Sequence, residues 1–423
     1  MKITLTASAV AILLALGASV SACADELVPG STLQSLLQYA KDSNPEFASM
    51  RHEAQAASER VVPAGALADP KFRAELMDIT KAGEQSPTLL PGEVGSTRYS
   101  FMQDLPWFGK LKLRQDIAQH EADASQAKAE GVWIELAAKI KVAQAQRYYL
   151  HGSEKLNREI FDLLEKLEQI SRSRYASGLT PQQDVIRAQI EQTNMRNELV
   201  ALEGERAQVD ARLNTLLSRP ARAPLALPES SQTIPAPQQL ELSKLEERAR
   251  QRNPLVFAEQ ARIQSAEKTR DLTYKNRYPD FTLSITPVQY QSAIKEWSLM
   301  VELNLPLQQL SRRAMERESE SMLAAAQARK QALANQVLSE IAENLTGLEA
   351  AQRTRALVVS SLLPQAELTF NSALAGYENN KVDFATLLDA QRQIRQAKQS
   401  QIKAQLDVQM RLAEIEKLIG EDL

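Results

Sequence analysis

The sequence is short of the residues on which most enzymes and disulfide-stabilised proteins depend. Among its 423 residues there is one cysteine, Cys23, which excludes an intramolecular disulfide and a thiolate metal site. The three histidines are isolated from one another, and neither a phosphate-binding glycine loop nor a serine nucleophile motif is present. No catalytic residue, cofactor or metal ligand is therefore predicted, and we do not expect an enzyme.

Glycine, aromatic residues and excess charge are also scarce. There are 14 glycines, aromatic side chains make up 5% of the chain, and the formal net charge is −3. This near balance of charge offers no electrostatic basis for nucleic-acid binding. The abundant residues are Ala, Leu, Gln, Glu, Arg and Lys, a composition that favours long helices over a β-sandwich or an α/β enzyme.

The amino terminus has the pattern of a secretory signal peptide, predicted to cover residues 1–24. Lys2 supplies a positive charge, residues 3–20 are almost all apolar or small, and the acidic residues Asp25 and Glu26 follow. A transmembrane anchor is disfavoured because the apolar stretch is short. Two processing routes remain open: cleavage after Ala24, or processing at a lipobox that would make Cys23 a lipidated first residue.

The remaining sequence repeats itself, since two halves present the same landmarks in the same order. The offsets between partners are 200 to 209 residues. The landmarks are Asn44-Pro45 and Asn253-Pro254; Pro70-Lys71-Phe72 and Pro279-Asp280-Phe281; Leu105-Pro106 and Leu305-Pro306; Tyr175 and Tyr377; and Ala188-Gln189 and Ala390-Gln391. We therefore expect a first repeat at 25–218 and a second at 240–423, joined by a linker at 219–239 rich in Pro, Ala and Ser.

Each half carries two segments in which apolar and polar residues alternate, the pattern of a strand with one apolar face. These segments are 71–76, 98–102, 281–286 and 297–305, with loops expected at 80–93 and 287–294. The rest of each half contains few helix breakers. Helices are expected at 33–62, 107–175, 181–217, 242–274, 307–376 and 382–419, with Thr180 as an N-cap and a kink at Pro364.

These elements predict a mainly helical fold with a small β part. Four strands from one chain cannot close a transmembrane barrel, which needs about eight strands and no open edge. Three chains would supply about twelve strands, and the long helices, each roughly 100 Å in length, would form a tube below them. The alternative, a soluble coiled-coil protein with a β cap, leaves the apolar strand faces unexplained.

Local motifs also give the sequence a resemblance to a known family. The segment 105–111, Leu-Pro-Trp-Phe-Gly-Lys-Leu, resembles a strand-to-helix junction. The segment 174–179 resembles a hairpin tip, and the segments 375–377 and 387–391 resemble a second tip and its return helix. With the repeat plan, these motifs resemble the outer-membrane efflux protein family of TolC-like channels, and the junction resembles the branch linked to cation efflux.

This resemblance implies an architecture and a set of partners. It implies a homotrimer with a twelve-stranded barrel in the outer membrane, in contact with lipid, and a long α-helical barrel in the periplasm. The hairpin tips would meet a periplasmic adaptor protein, which links the duct to an inner-membrane pump. The candidate adaptor contacts are Arg174, Gly178, Leu179, Tyr377 and Lys381. The alternative is that these residues only terminate helices.

The resemblance further suggests an acidic aperture at the periplasmic end. Asp184 and Asp389 match positions at which the family often places acidic residues. Three copies of each would form carboxylate rings that favour cations, and Arg187, one helical turn from Asp184, is a candidate gating partner. The alternative is that these charges lie on solvated helix faces.

The sequence-based hypothesis for function is an outer-membrane exit duct of a tripartite efflux pump. The inner-membrane partner is expected to be of the resistance-nodulation-division type and the cargo heavy-metal cations, on the local resemblance. An alternative is a conduit for drug efflux or type I protein secretion. A periplasmic scaffold or adaptor fits less well, because adaptors carry one helical hairpin and glycine-rich β domains.

Overall fold

The computed structural model describes residues 29–228 and 234–423, so the predicted signal peptide and Cys23 lie outside the described residues. Two similar sets of elements follow one another; the first has an additional short helix before its strands, and the second has a divided helix after them. The first set is α1 Leu33–Ser43, α2 Pro45–Glu59, α3 Val61–Gly65, β1 Lys71–Met77, β2 Ser96–Leu105, α4 Lys110–Ala176 and α5 Gln182–Leu216. The second set is α6 Leu242–Arg252, α7 Pro254–Lys275, β3 Asp280–Tyr290, β4 Ala293–Asn304, α8 Gln309–Leu357, α9 Leu363–Glu378 and α10 Phe384–Ile419.

The Asn-Pro landmark breaks a helix in the same way in both sets. Each asparagine ends one helix and caps the next, which the following proline begins. The side-chain oxygen of Asn44 accepts the backbone N–H of Phe47 at 3.0 Å, and that of Asn253 accepts the N–H of Leu255 at 2.8 Å. The two helices predicted to run unbroken through these positions are therefore each divided at the asparagine.

The same two asparagines tie the short helices to the ends of the return helices. The side-chain amide of Asn44 donates to the carbonyl oxygen of Leu216 at 2.8 Å, in the last turn of α5. The amide of Asn253 donates to the carbonyl oxygen of Leu418 at 2.8 Å, in the last turn of α10. The repeat seen in the sequence is therefore also a repeat of hydrogen bonds.

Each half contains a long helical hairpin. α4 has 67 residues and is about 100 Å long, and α5 returns along it after a tight turn. α4 begins at Lys110 instead of Trp107, because Gly109 has a left-handed φ of 82°. α5 begins at Gln182, and its N-cap is Pro181, in an extended conformation. The prediction that Thr180 is the N-cap was therefore wrong by one residue.

The outgoing arm of the second hairpin is not a continuous α-helix. α8 ends at Leu357 and is followed by a π-helical segment, Val358–Leu362, before α9 begins. Pro364 occupies the first turn of α9. Proline has no N–H for the usual helical hydrogen bond, and a π-turn is one way to accommodate the loss. The irregularity predicted at Pro364 is therefore present as a π-helical segment directly before it.

The four strands form one antiparallel sheet in the order β1-β2-β3-β4. β3 and β4 meet in a tight hairpin, with Tyr290 opposite Ala293. The loop predicted at 287–294 was therefore wrong, because most of these residues belong to the two strands. Pro287 is accommodated in β3 opposite Trp297, at a position where the pairing of β3 with β2 is interrupted. This agrees with proline's inability to donate a ladder hydrogen bond.

Cross-strand pairing separates the sheet into an apolar face and a polar face. Partners lie on the same face. The apolar face carries Phe72 opposite Phe101, Ile285 opposite Leu299, and Leu283 opposite Val301. On the polar face, Asp104 accepts hydrogen bonds from Lys71 and Thr282, each at 2.7 Å. The apolar side chains of the first face are exposed in the single chain, as expected for a surface that meets lipid.

The two hairpins share a hydrophobic core near their tips. It contains Leu164 of α4, Ala188 of α5, Phe370 of α9 and Leu387 of α10, all of them buried. Because all four helices contribute, the tips are packed as one unit.

Candidate functional site

The two hairpin tips are turns of the same geometry. Gly178 and Asn380 have left-handed φ angles of 71° and 57°, which confirms the prediction that asparagine preserves the turn. In the first tip, the N–H of Leu179 donates to the carbonyl oxygen of Arg174 at 2.9 Å; in the second, Lys381 donates to Gly376 at 2.8 Å. Both helices therefore end in the same hydrogen-bonded C-cap.

Three of the five candidate contact residues lie on the surface of the tips. Gly178, Leu179 and Lys381 are exposed, and Leu179 keeps 60% of its accessible surface. They project from the turn, where few neighbouring groups of the chain are present; a Cβ at Gly178 would meet nothing within 4 Å. These residues are available for contact with another protein.

Tyr377 does not fit this description, because its side chain is 2% exposed. Its ring packs against Phe384 at a centroid distance of 5.3 Å, and its hydroxyl lies 3.2 Å from the hydroxyl of Ser171 in α4. The structure thus places Tyr377 between the hairpins, and direct contact of its side chain with an adaptor is not retained. Its repeat partner Tyr175 is the exposed tyrosine of the pair.

Arg174 joins the first tip to the second. Its guanidinium lies over the ring of Tyr377, 4.8 Å from the centroid, and its Nη1 donates to the carbonyl oxygen of Glu378 at 3.1 Å. Cation–π contacts of this kind stabilise by about 0.5–2 kcal/mol. Arg174 therefore stabilises the tip, and these contacts leave its side chain only partly exposed.

Asp184 lies in the first turn of α5 and is buried. Burial raises the pKa of its carboxyl; the nearby positive charges of Arg187 and Arg174 oppose this shift, and Asp383 reinforces it. Asp383 is the N-cap of α10, and hydrogen bonds from the side chain of Thr386 and from its backbone N–H, at 2.8 Å, lower the pKa of the Asp383 carboxyl. The charge of Arg187 therefore acts on the Asp184 carboxyl, and the gating role of this pair stays a prediction.

Asp389 lies in a different environment. It is exposed and pairs with Arg392, one turn further along α10, at 3.2 Å. Arg392 also bonds Glu191 of α5, and this partner raises the pKa of the arginine. A second ion pair, Arg395 to Glu198 at 2.5 Å, also joins α10 to α5.

Sequence reasoning missed the ion pairs between the hairpins. Glu191 and Arg392 are 201 residues apart in the chain, and Glu198 and Arg395 are 197 apart. The one available signal was the repeat itself, which places α5 and α10 at equivalent positions in the two halves. Each charge alone is typical of a solvated helix face.

The described residues contain neither a candidate metal site nor a helix suited to cross a membrane. Among residues 29–228 and 234–423, no group of three or more His, Cys, Asp or Glu side chains is arranged to hold a metal ion. No helix within these ranges is both long and apolar enough to traverse a membrane.

The fold and the tips together define a class of protein: a subunit with an amphipathic antiparallel sheet at one end and two long helical hairpins that meet at the other. Sequence comparison identifies the family. The model of the outer membrane efflux protein family matches residues 36–219 and 245–421, and the chain belongs to this family. The two matched segments fall on either side of the Pro-rich stretch.

Individual relatives agree with this assignment. The chain is 24% identical over 377 residues to the cobalt-zinc-cadmium resistance protein CzcC of Cupriavidus metallidurans, covering 87% of this chain and 84% of the relative. Its fold matches that of the outer-membrane channel OprN, with a TM-score of 0.76, 20% identity and coverage of 92% and 89%. It also matches VceC of Vibrio cholerae, with a TM-score of 0.78, 17% identity and coverage of 92% and 96%.

Membership establishes the general role of the protein. It is an outer-membrane efflux channel with a long periplasmic helical extension, and it is not an enzyme. Channels of this family are trimers that work with an adaptor and an inner-membrane pump. The sequence-based predictions of family, fold class and location are confirmed.

Proposed function

We propose that this channel exports heavy-metal cations, as the outer-membrane component of a pump of the resistance-nodulation-division type. The observation that carries the proposal is the similarity to CzcC, a cobalt-zinc-cadmium resistance protein, which extends over most of both chains. The junction motif at 105–111, which resembles the cation-efflux branch of the family, supports the same cargo. Drug efflux and type I protein secretion are the alternatives, because the same fold serves them.

Assembly into a trimer is supported by apolar side chains that the single chain leaves uncovered. On α5, Ile186 and Ile190 are one turn apart and both about half exposed. On the outgoing arm of the second hairpin, Leu357, Leu362 and Leu368 are also exposed. We infer that these stripes pack against neighbouring copies, in the way that apolar helix faces of a coiled-coil barrel do.

Adaptor docking is assigned to the outer surface of the tips. Gly178, Leu179 and Lys381 form this surface, and Arg174 supports it from below through its contacts with Tyr377 and Glu378. Leu179 supplies an exposed apolar group that contact with an adaptor would bury.

The residues proposed to line the aperture lie in two different environments, one shared by Asp184 and Arg187 and one around Asp389. Asp184 and Arg187 lie at the start of α5 beside Asp383, where burial and charge act on the same carboxylate. Asp389 is exposed and tethered to Arg392. In a trimer, three copies of each acidic side chain would favour cations over anions.

The organisation proposed for the precursor follows the sequence. Residues 1–24 direct export, 25–218 and 240–423 form the two repeats, and 219–239 connects them. Either cleavage after Ala24 or lipidation of Cys23 fits this organisation, and the mass of the mature amino-terminal peptide distinguishes them.

Cargo is tested by metal and drug sensitivity of a strain that lacks the channel. Restoration of growth in cobalt, zinc or cadmium by the wild-type gene, with no change in drug or dye sensitivity, is the expected result. A Leu179→Asp variant should insert normally and fail to restore growth, whereas Ser173→Asp, one turn before the tip, should restore it. Drug sensitivity alone, or a secretion defect alone, would contradict the metal proposal.

A further inference from the structure

A patch of aromatic and basic side chains lies where the sheet joins the helices. The ring of Trp107 stacks with the rings of Tyr278, at 5.0 Å, and Phe281, at 5.5 Å. Phe281 shares its side of β3 with Leu283 and Ile285. The aromatic cluster is therefore continuous with the apolar face of the sheet, at the end of that face nearest the periplasm.

The junction is rigidly built. Asp280 accepts the backbone N–H of Trp107 at 2.7 Å and the Nζ of Lys110 at 2.8 Å. Lys110 is almost fully buried, and its Nζ also donates to the carbonyl oxygen of Tyr278 at 3.1 Å. These bonds fix the stacked rings before any ligand binds.

Two positive charges border the rings. Lys275 donates to the carbonyl oxygen of Phe108 at 3.3 Å, and the Nη1 of Arg312 donates to the carbonyl oxygen of Asn276. Neutral carbonyl oxygens accept the hydrogen bonds of these two cations, and the charge of Arg312 also acts on the Glu316 carboxylate. The Nε of Arg312 is buried and has no hydrogen-bond partner among the described residues.

Two carboxylates close to the patch are already engaged: Asp280 with Lys110, and Glu316 with Arg277. Both oxygens of Glu316 accept hydrogen bonds from Arg277, each at 2.6 Å. Phe108, with 80% of its surface exposed, and the half-exposed ring of Tyr278 complete the patch. Its chemistry is that of a membrane interface, with amphipathic rings at headgroup level and cations beside them.

We propose that this junction patch (Trp107, Phe108, Lys275, Tyr278 and Arg312) binds the phosphate of an anionic phospholipid in the periplasmic leaflet of the outer membrane. The acyl chains continue along the apolar face of the sheet, and the phosphate lies against Lys275 and Arg312. The helical side of the sheet faces the periplasm, so the partner is the phospholipid of that leaflet. Such binding would set the depth of the channel in the membrane, independently of its cargo.

The test is a lipid titration of the detergent-extracted trimer, with bound lipid counted by native mass spectrometry. The probe is dioleoylphosphatidylglycerol, and dioleoylglycerol, which has the same chains without phosphate, is the comparison lipid. The Lys275→Gln/Arg312→Gln variant should bind the phospholipid roughly tenfold more weakly, given the contribution of each basic residue at an anionic surface. Binding of the neutral lipid should not change.

Matched variants test whether the loss of any two positive charges would weaken phospholipid binding. Lys166→Gln/Arg353→Gln removes one lysine and one arginine from exposed positions on α4 and α8 and should bind like the wild type. Lys275→Arg/Arg312→Lys keeps both charges and should retain most of the affinity. Wild-type binding should also weaken as salt concentration rises, which needs no variant.

Three results would overturn the proposal. One is unchanged affinity of the double glutamine variant, and another is equal binding of the two lipids by the wild type. The third is complete displacement of the phospholipid by inorganic phosphate, which would indicate a simple anion site. Failure of metal export with intact lipid binding would contradict the proposed cargo and leave this inference standing.

Discussion

Tyr377 and Tyr175 occupy equivalent positions in the two repeats and have opposite environments. Tyr377 is buried between the hairpins, in contact with Arg174, Ser171 and Phe384, whereas Tyr175 is about half exposed. The tips are therefore joined mainly by the tyrosine of the second repeat. This asymmetry provides a pair of substitutions in which one residue is the control for the other.

Replacing Tyr377 with Ala should destabilise the packed tips by about 3–5 kcal/mol, because it removes a buried aromatic ring. Tyr377→Phe keeps the ring and loses the contact with the Ser171 hydroxyl, which should cost about 1 kcal/mol. Hydrogen exchange of the tip amides measures both effects. Tyr175→Ala is the control and should change exchange little; equal effects of the two alanine variants would contradict the assigned packing.

Asp184 should make the stability of the tips depend on pH. Its pKa in the folded protein is raised, chiefly by burial, so the folded state binds a proton that the unfolded state has already released. Stability should therefore fall as pH rises above about 3.9, the ordinary value for aspartate, through the folded pKa. Asp184→Asn should remove this decline, as measured by hydrogen exchange of the α5 amides across the pH range.

The control for this experiment is Asp389→Asn, since Asp389 is exposed. It should leave the pH dependence of α5 unchanged. If stability still falls with rising pH in Asp184→Asn, another titratable group is responsible for the decline.

In bilayer recordings, replacing both aspartates with Ala should raise conductance and reduce cation preference. Unchanged values would argue against the aperture role.

At the scale of elements, the two hairpins differ in continuity. α4 runs unbroken for 67 residues, whereas the equivalent arm of the second hairpin contains the π-helical segment and Pro364. Such segments have fewer regular hydrogen bonds and open more easily than an α-helix of the same length. The second hairpin therefore contains a weak point about one-quarter of the way along its outgoing arm from the tip.

We predict faster hydrogen exchange at Val358–Leu362 than at 156–160, the equivalent stretch of α4. Pro364→Ala should restore a regular helical bond and slow exchange in this segment by roughly tenfold or more, given the cost of proline inside a helix. Glu367→Ala, one turn later on α9, is the control and should have little effect. Protection equal to that of α4 in the wild type would exclude a weak point here.

The sequence predicted the helices and strands well where one local signal dominates. Long stretches without breakers indicated α4 and α10, and alternation of apolar residues indicated all four strands. Pro287 misled the prediction of the β3–β4 connection, because proline usually marks a loop and here lies in a strand at a gap in the ladder. The breaks at Asn44 and Asn253 were both overlooked, although Asn-Pro is a common helix start.

The candidate site was harder to predict because its contacts join distant parts of the chain. The left-handed turn at Asn380 followed from residue type, and Leu179 and Lys381 are exposed as expected of tip residues. The burial of Tyr377 depends on Ser171 and Phe384, which approach it through packing of two hairpins. No local pattern distinguishes it from Tyr175.

At the scale of the whole molecule, one sheet face should meet lipid and the other the channel interior. Leu299 and Ser298 are neighbours in β4 and point to opposite faces, since their partners are Ile285 and Thr286. A single chain exposes both faces of β4, and only the assembled barrel distinguishes them. Charged substitutions at these two positions therefore test the assembly itself.

Leu299→Arg should reduce the yield of trimer extracted from outer membranes, because a cation on the lipid face near mid-membrane costs about 2–4 kcal/mol per chain. Ser298→Arg adds the same charge one residue earlier, on the polar face, and should leave the mass of the extracted complex at three subunits. It should instead lower cation conductance, since three arginines would then line the interior. Normal trimer from Leu299→Arg together with loss of trimer from Ser298→Arg would mean that the faces are reversed. A soluble monomer from the wild type would mean that neither face meets lipid, and the role of the apolar face would have to be assigned to contact with another protein.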